Sequence, residues 1–223
     1  MPNIAYDSNV AVSYDADREG EEHWIRENNF VEEYFRNKGV ITVLDLPVGT
    51  GRFIGYYPPD AEIIGVDISE HMIDQARKKV SADSNQRILL SVGDGESLGA
   101  IASGSVDLIV CFRLMHLVPR NKRLGILREF SRILKGELLL QVYLSPPSKP
   151  LMIRLAYKLK ALAGVLTQTN RSKKTPWSHI KSYPICENEL VELCSQASLK
   201  VMARHFLCSY ERSNVVVFQI CKP

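Results

Sequence analysis

Val43-Leu44-Asp45-Leu46-Pro47-Val48-Gly49-Thr50-Gly51-Arg52-Phe53 is the stretch whose reading decides the fold. An apolar run from Val40 to Leu46 carries Asp45 near its end. It then breaks into two glycines one residue apart, Gly49 and Gly51, before polar and helix-forming residues resume. That order reads as a strand, a tight turn and the opening of a helix. Glycine supplies φ > 0 and lets backbone come close to a ligand, and free N–H groups at a helix N-terminus favour anionic or polar ligand groups. The turn is a candidate nucleotide cradle.

Working outward, a second apolar run, Ala61 to Val66, ends in Asp67, which lies 22 residues after Asp45. An acid at this point can accept hydrogen bonds from a ribose diol. A third run, Ile88 to Val92, ends in Gly93-Asp94-Gly95, so three strands finish in acids on one side. Between them, Arg52 to Tyr57 leaves room for a short helix stopped by Pro58-Pro59. Ser69 caps a longer helix whose inner face is Met72, Ile73, Ala76 and Val80. Val106 to Phe112 is the fourth strand. Leu124, Leu127, Phe130 and Leu134 line a helix that ends at Gly136, and Leu138 to Tyr143 is the fifth strand. The chain closes with a helix over Glu187 to Gln196 and two runs, Lys200 to Tyr210 and Val215 to Cys221, joined as a hairpin through Glu211-Arg212-Ser213-Asn214. The expectation is an α/β, Rossmann-like, doubly wound sheet that is mostly parallel, with an antiparallel closing strand. Ligands then sit at the strands' carboxyl ends.

With 223 residues, 45% hydrophobic and 24% charged, the composition is that of an ordinary globular protein. No apolar run approaches the roughly 20 residues that span a bilayer. Met1-Pro2-Asn3-Ile4 lacks the basic and apolar regions of a secretory leader, so a cytoplasmic location is expected. Cys111, Cys186, Cys194, Cys208 and Cys221 are odd in number and scattered. They imply buried, reduced thiols, with neither a disulfide framework nor a metal site.

The two flanks of the core carry different signals. Residues 1–38 are acidic and helical in their second half, with Trp24, Ile25, Phe30, Val31, Tyr34 and Phe35 near helical spacing. Tyr6, Tyr14 and Trp24 either pack this segment onto the core or make it a lid over the ligand. From Leu138 to Cys186 there is no acid but there are eight cations: Lys149, Arg154, Lys158, Lys160, Arg171, Lys173, Lys174 and Lys181. The whole chain is +3, so the remainder is −5 by subtraction (+3 minus +8) and the positive charge is localised. Within that region Leu151 to Leu166 has helical amphipathicity, bracketed by Pro146, Pro147 and Pro150. It reads as a lysine-rich lid over an acceptor pocket lined by Trp177 and His179, or as a surface for a phosphorylated or lipid-linked acceptor or for peripheral contact with anionic membrane. No nucleic-acid module is recognisable and few aromatics interleave with the charges, which speaks against RNA.

Asp45-Leu46-Pro47-Val48-Gly49-Thr50-Gly51 resembles the first motif of the class I S-adenosylmethionine-dependent methyltransferases, and Gly65-Val66-Asp67-Ile68-Ser69 resembles the second. Gly93-Asp94-Gly95-Glu96 and Ser105 to Cys111 stand where the third and fourth lie. The resemblance covers Ile41 to Tyr143, and the closing hairpin suits that family's seven-stranded sheet. It implies one methyltransferase domain over 1–223: an N-terminal helical lid (1–38), a cofactor core (39–145), a basic acceptor-side lid (146–186), and a closing helix and hairpin (187–223). It implies S-adenosyl-L-methionine as cofactor, with Asp45 ordering the turn and Gly49, Thr50 and Gly51 admitting the ligand. Asp67 would hold the ribose hydroxyls, Ile68 and Met72 would flank adenine, and Asp94 with the Gly95 N–H would meet its amino edge. Cys111 and Arg113 would face the methionine end. Pro47 departs from the family's glycine and has no N–H to give. A dehydrogenase of Rossmann type is disfavoured, because Ile54 stands at the third glycine of the G-x-G-x-x-G spacing and Gly55 comes one place late. His116 is the candidate general base for a hydroxyl or amine acceptor, and Tyr14 and Tyr143 are candidate acceptor contacts beside Trp177 and His179. The acceptor would be a small molecule, or a saccharide or lipid-linked precursor. The other class is a non-catalytic cofactor-binding subunit acting through its basic surface. Oligomeric state is not legible.

Overall fold

The strand that precedes the glycine turn, β1 (Thr42–Asp45), lies inside a seven-stranded sheet of order β3-β2-β1-β4-β5-β7-β6. The computed structural model describes residues 8–39, 41–80, 86–145, 182–211 and 213–223. Its other strands are β2 (Glu62–Asp67), β3 (Arg87–Val92), β4 (Val106–Cys111), β5 (Leu134–Leu144), β6 (Lys200–Tyr210) and β7 (Ser213–Cys221). β1 pairs in parallel with β2 on one side and β4 on the other, in the registers Asp45 to Gly65 and Asp45 to Val110. Sheet growth therefore reverses direction at β1, and such a switch point opens a crevice at the strands' carboxyl ends. β7 runs antiparallel to both β5 and β6, as the hairpin pattern requires.

Strand alternation sends side chains to two cores. Leu44, Ile109 and Leu138 pack with Ile126, Leu127 and Phe130 of α4 (Arg120–Ile133) and Leu190 of α5 (Glu187–Gln196). Val43, Val110 and Leu139 pack on the opposite face with Val31 and Phe35 of α2 (Glu22–Phe35) and Ile73 of α3 (Glu70–Lys79). Helices thus cover both faces, and burying a side chain such as Val31 or Phe35 contributes about 1.5–3 kcal/mol. The Ser69 hydroxyl caps α3, accepting the Met72 N–H at 3.4 Å.

Four local readings change. The helix expected to run to Gly136 stops at Ile133, and β5 starts at once. Gly136 is a strand residue beside the irregular β4–β5 pairing at Val106/Leu108, where an added Cβ would stand 2.3 Å from the Asp107 carbonyl oxygen. The glycine serves close backbone approach, not a helix stop. The short helix after the turn is a single 3-10 turn, Ile54–Tyr56, because Pro58 and Pro59 leave no room for more. A further short helix, α1 (Ser8–Ser13), precedes α2. Cys186 is exposed rather than buried, while Cys111, Cys194 and Cys208 are buried. Among the described residues no helix is long and apolar enough to cross a membrane. The cations of 146–181, the Leu151 to Leu166 helix, Trp177, His179 and Tyr6 lie outside the described residues.

Candidate functional site

The crevice at β1 holds a cavity whose floor is the glycine turn. Leu46 N–H donates to the Val110 carbonyl (3.0 Å) and Val48 N–H to the Val66 carbonyl (2.9 Å), so the turn is fastened to β4 on one side and β2 on the other. Pro47 sits between these two donors, and its missing N–H leaves the turn intact. Gly49 and Gly51 take φ of 55° and 76°, which side chains with a Cβ rarely adopt. At Gly51 a Cβ would also press on Ile54 and Ala76, whereas at Gly49 it would point into open space. The bare backbone at Gly49 faces the cavity that Pro47 and Thr50 also line.

Asp67, at the end of β2, is 7% exposed and accepts two backbone N–H groups: Gly49 at 3.0 Å through Oδ2 and Ser69 at 2.8 Å through Oδ1. Burial raises its pKa, against the opposing pull of the Ser69, Gly49 and Ile68 N–H groups. A carboxylate has about four lone-pair positions, so two remain for a ligand. Beside it Ile68 is 48% exposed on the cavity wall and Met72 is buried beneath, an apolar slot next to a carboxylate. Across from them Asp94 uses Oδ1 to accept the Glu96 N–H (3.0 Å), and Gly95 lies in the wall.

Asp45 behaves differently. It lies outside the cavity lining and takes the Tyr57 hydroxyl at 2.7 Å. Burial pushes its pKa up to about 7, although Tyr57 and the Arg52 charge pull the other way. Tyr57 is a partner that sequence reading missed. Cys111 faces the α4/α5 core, is wholly buried, and its thiol is raised well above the ordinary range by burial. The cavity lining includes Arg113 of the expected methionine-end pair but not Cys111.

The opposite wall comes from the N-terminal segment. Tyr14 and Trp24 line the cavity and pack together with ring centroids 6.1 Å apart. The Thr50 hydroxyl donates to Asp15 Oδ1 at 2.7 Å, and Lys79 of α3 pairs with the same carboxylate, so the segment is latched over the turn. Arg52 donates to Asn28 Oδ1 (2.8 Å) and the Trp24 carbonyl (3.1 Å) and lies 3.7 Å over the Trp24 ring. Its Nη1 also meets Glu27 Oε2 at 2.9 Å, and Arg113 Nε donates to the same oxygen at 2.8 Å. Glu27, fully buried on α2, is therefore clamped between two guanidinium groups. Sequence reading missed it. The available signal was its position on the apolar stripe Trp24, Glu27, Val31, Phe35.

His116 lies three residues beyond Arg113 but outside the cavity lining. Its ring packs edge-on to Tyr143 at 4.7 Å, and Tyr143 continues into His23 (5.9 Å) and Tyr210 (5.8 Å). Burial, then the charges of Arg113, Arg18, Arg123 and His23, lower the His116 pKa to about 3. At neutral pH it is an uncharged imidazole with little appetite for a proton. The segment after the undescribed stretch returns here: Tyr183 N–H donates to the His116 carbonyl (2.7 Å), and buried Arg123 donates to the carbonyls of Val118, Tyr183 and Pro184 and to Glu189.

Residues 43–137 match a family described as a methyltransferase domain. The ubiquinone/menaquinone biosynthesis C-methyltransferase of Syntrophotalea carbinolica is 35% identical over 171 residues, 73% of this chain and 70% of that protein. The human thiol S-methyltransferase TMT1A is 27% identical over 106 residues, 47% of this chain and 43% of that protein, so the match spans less than half of that relative. The crystal structure of magnesium protoporphyrin IX methyltransferase from Synechocystis PCC 6803 with bound SAH has a TM-score of 0.68 at 16% identity, covering 98% of this chain and 96% of that one. At such identity the likeness concerns the fold.

Proposed function

This chain belongs to the class I S-adenosylmethionine-dependent methyltransferases, and from there we propose that it transfers the methyl group of S-adenosylmethionine to a small-molecule acceptor held beyond β4 and β5. The observation that carries the reading is the Asp67 carboxylate. It is fixed by the Gly49 and Ser69 N–H groups with two lone-pair positions to spare, next to an exposed Ile68 that a flat apolar ring would cover. The cavity residues suit an adenosyl group: Asp67 for the ribose diol, Ile68 and Met72 for adenine, Asp94 and the Gly95 N–H for its polar edge. Gly49, Thr50 and Pro47 line the floor, and Gly51 lets the turn close beneath them against Ile54 and Ala76. When bound, S-adenosylmethionine supplies a methyl carbon on a sulfonium, whose leaving group is a neutral thioether that needs no proton. The chain's own task is then to orient and to exclude water. Tyr14 and Trp24, latched through Asp15 to Thr50, close the wall through which water would enter.

The named relatives act on carbon and on sulfur. For this chain the acceptor class rests on the Arg113 wall of the cavity; the rings of Tyr143, His116, His23 and Tyr210 lie outside its lining. Calorimetry should show binding of S-adenosylmethionine and S-adenosylhomocysteine, and label from a radioactive methyl donor should pass to members of a thiol and phenol panel. Tight NAD binding with no affinity for either sulfur ligand would overturn the reading.

A further inference from the structure

Arg113, two residues beyond β4, takes a left-handed backbone conformation (φ 59°), strained for a residue with a Cβ and held only where surroundings fix it. The surroundings are two bonds: its own N–H donates to Gln141 Oε1 at 2.7 Å, and Nε donates to Glu27 Oε2 at 2.8 Å. Nη1 and Nη2 are buried yet have no hydrogen-bond partner among the described residues, Nη1 coming no nearer to Glu21 than 3.7 Å. The side chain is 8% exposed as a whole residue and lies in the cavity wall, with Trp24 under its guanidinium at 4.9 Å. Buried donors are nearly always paired, so two idle ones on a cation at a cavity mark where a ligand brings acceptors.

The charges around them point the same way. Arg18 pairs with Glu21 (3.5 Å), Arg113 reaches Glu21 and Glu27, and Arg52 pairs with Glu27. Three guanidinium groups meet two carboxylates in one connected network, an excess of one positive charge. Tyr14, Tyr143, Tyr210, His23, His116, Cys208 and, beside Arg52, Asp45 are further titratable groups that face it. His116, outside the cavity lining, gives an incoming acceptor no base.

We propose that Arg113 holds the acceptor as its anion, a thiolate or a phenolate, through Nη1 and Nη2, so that the nucleophile is ionised by binding. This rests on the methyl-transfer reading. The acceptor's proton leaves to solvent on binding. The anion's electron pair then forms the new bond to the methyl carbon, the old bond's pair stays on the sulfur, and one negative and one positive centre give two neutral products.

The test uses 4-nitrothiophenol and 4-nitrophenol, whose anions absorb visible light, titrated with pH in the presence of the whole protein. An opposite charge at close range lowers an acid's pKa by about 1–3 units, so the anion of at least one probe should bind about tenfold or more tightly than its neutral form. Arg113→Gln should abolish that preference. Glu27→Gln, which removes a negative charge from the same network, should increase it, whereas a mere folding defect would weaken both variants alike. The probe that responds identifies sulfur or oxygen as the acceptor atom. No preference for either anion by the wild type would overturn the proposal, and so would displacement of the bound probe by S-adenosylhomocysteine, which would give Arg113 to the donor's carboxylate. Calorimetry with S-adenosylhomocysteine separates the two readings: binding retained without an anion preference sinks only this inference.

Discussion

Asp67→Asn changes one oxygen for an NH2 group and puts the donor side of the site to the test. In the native site each carboxylate oxygen already accepts one backbone N–H, at 3.0 Å from Gly49 and 2.8 Å from Ser69, and keeps about one further lone-pair position for a ribose hydroxyl. Asparagine retains one such oxygen. Its amide nitrogen must face either the Gly49 or the Ser69 N–H, donor against donor, and only one ribose hydroxyl finds an acceptor. The ligand loses one hydrogen bond to a charged group, about 1.5–3 kcal/mol, and each 1.4 kcal/mol is tenfold in affinity. The dissociation constant for S-adenosylhomocysteine should therefore rise by about ten- to a hundredfold at neutral pH. The stranded N–H should also lower stability by about 1–3 kcal/mol. Titration calorimetry reads the first quantity and urea denaturation the second. Because burial raises the Asp67 pKa, wild-type affinity should start to fall, on acidification, above the usual carboxylate range, while that of the variant stays level. A folded Asp67→Asn protein with wild-type affinity would remove Asp67 from the site.

Two further predictions concern stability. Gly136→Ala would place a Cβ 2.3 Å from the Asp107 carbonyl oxygen, a backbone atom that cannot withdraw without disturbing the β4–β5 pairing, so stability should fall by about 1–3 kcal/mol or more; an unchanged urea midpoint would show that the pairing yields freely. His116 has a folded pKa of about 3 against an ordinary value near 6.5, so the unfolded chain takes up its proton first as pH falls. Stability is then lost between about pH 6.5 and 3, at up to about 1.4 kcal/mol per pH unit, and His116→Gln should flatten that slope. Asp45, raised to about 7, acts in the opposite sense, its contribution being lost as pH rises, so the informative quantity is the wild type minus variant difference across pH. Parallel profiles would show that His116 does not resist protonation in the fold.

The donor side was legible because its parts are local. A strand's end, two glycines and a carboxylate at the next strand's end are consecutive sequence signals, and the backbone N–H groups of Gly49 and Ser69 follow from them. Where expectation failed, the cause was a contact between distant segments. Gly136 resembled a helix stop, but the Asp107 backbone beside it decided the outcome. Cys111 and Arg113 stood two positions apart in sequence at the carboxyl end of the fourth strand. Alternation sent Cys111 into the core beside Leu140, and the left-handed turn at Arg113 sent its guanidinium to the cavity wall.

The same reasoning explains why Glu27 and His116 changed meaning. Among the acidic residues of the first 38, Glu27 has the composition of a solvated face, yet it lies on the stripe that also carries Trp24, Val31 and Phe35. A buried carboxylate on such a stripe requires cations from elsewhere. They arrive from the glycine turn as Arg52 and, 86 positions along the chain, from just beyond β4 as Arg113. Burial first, and then Arg113 once it is drawn to Glu27, lower the proton affinity of His116, the residue whose sequence position suggested a base. A site with a surplus guanidinium charge and a histidine near pKa 3 has the means to bind an anion and little means to generate one by proton abstraction. Acceptor acidity should therefore govern turnover here: across a series of substituted thiols or phenols, the rising limb of kcat/KM with pH should move with each acceptor's own pKa. A limb fixed at one pH throughout the series would mean that a protein group takes the proton.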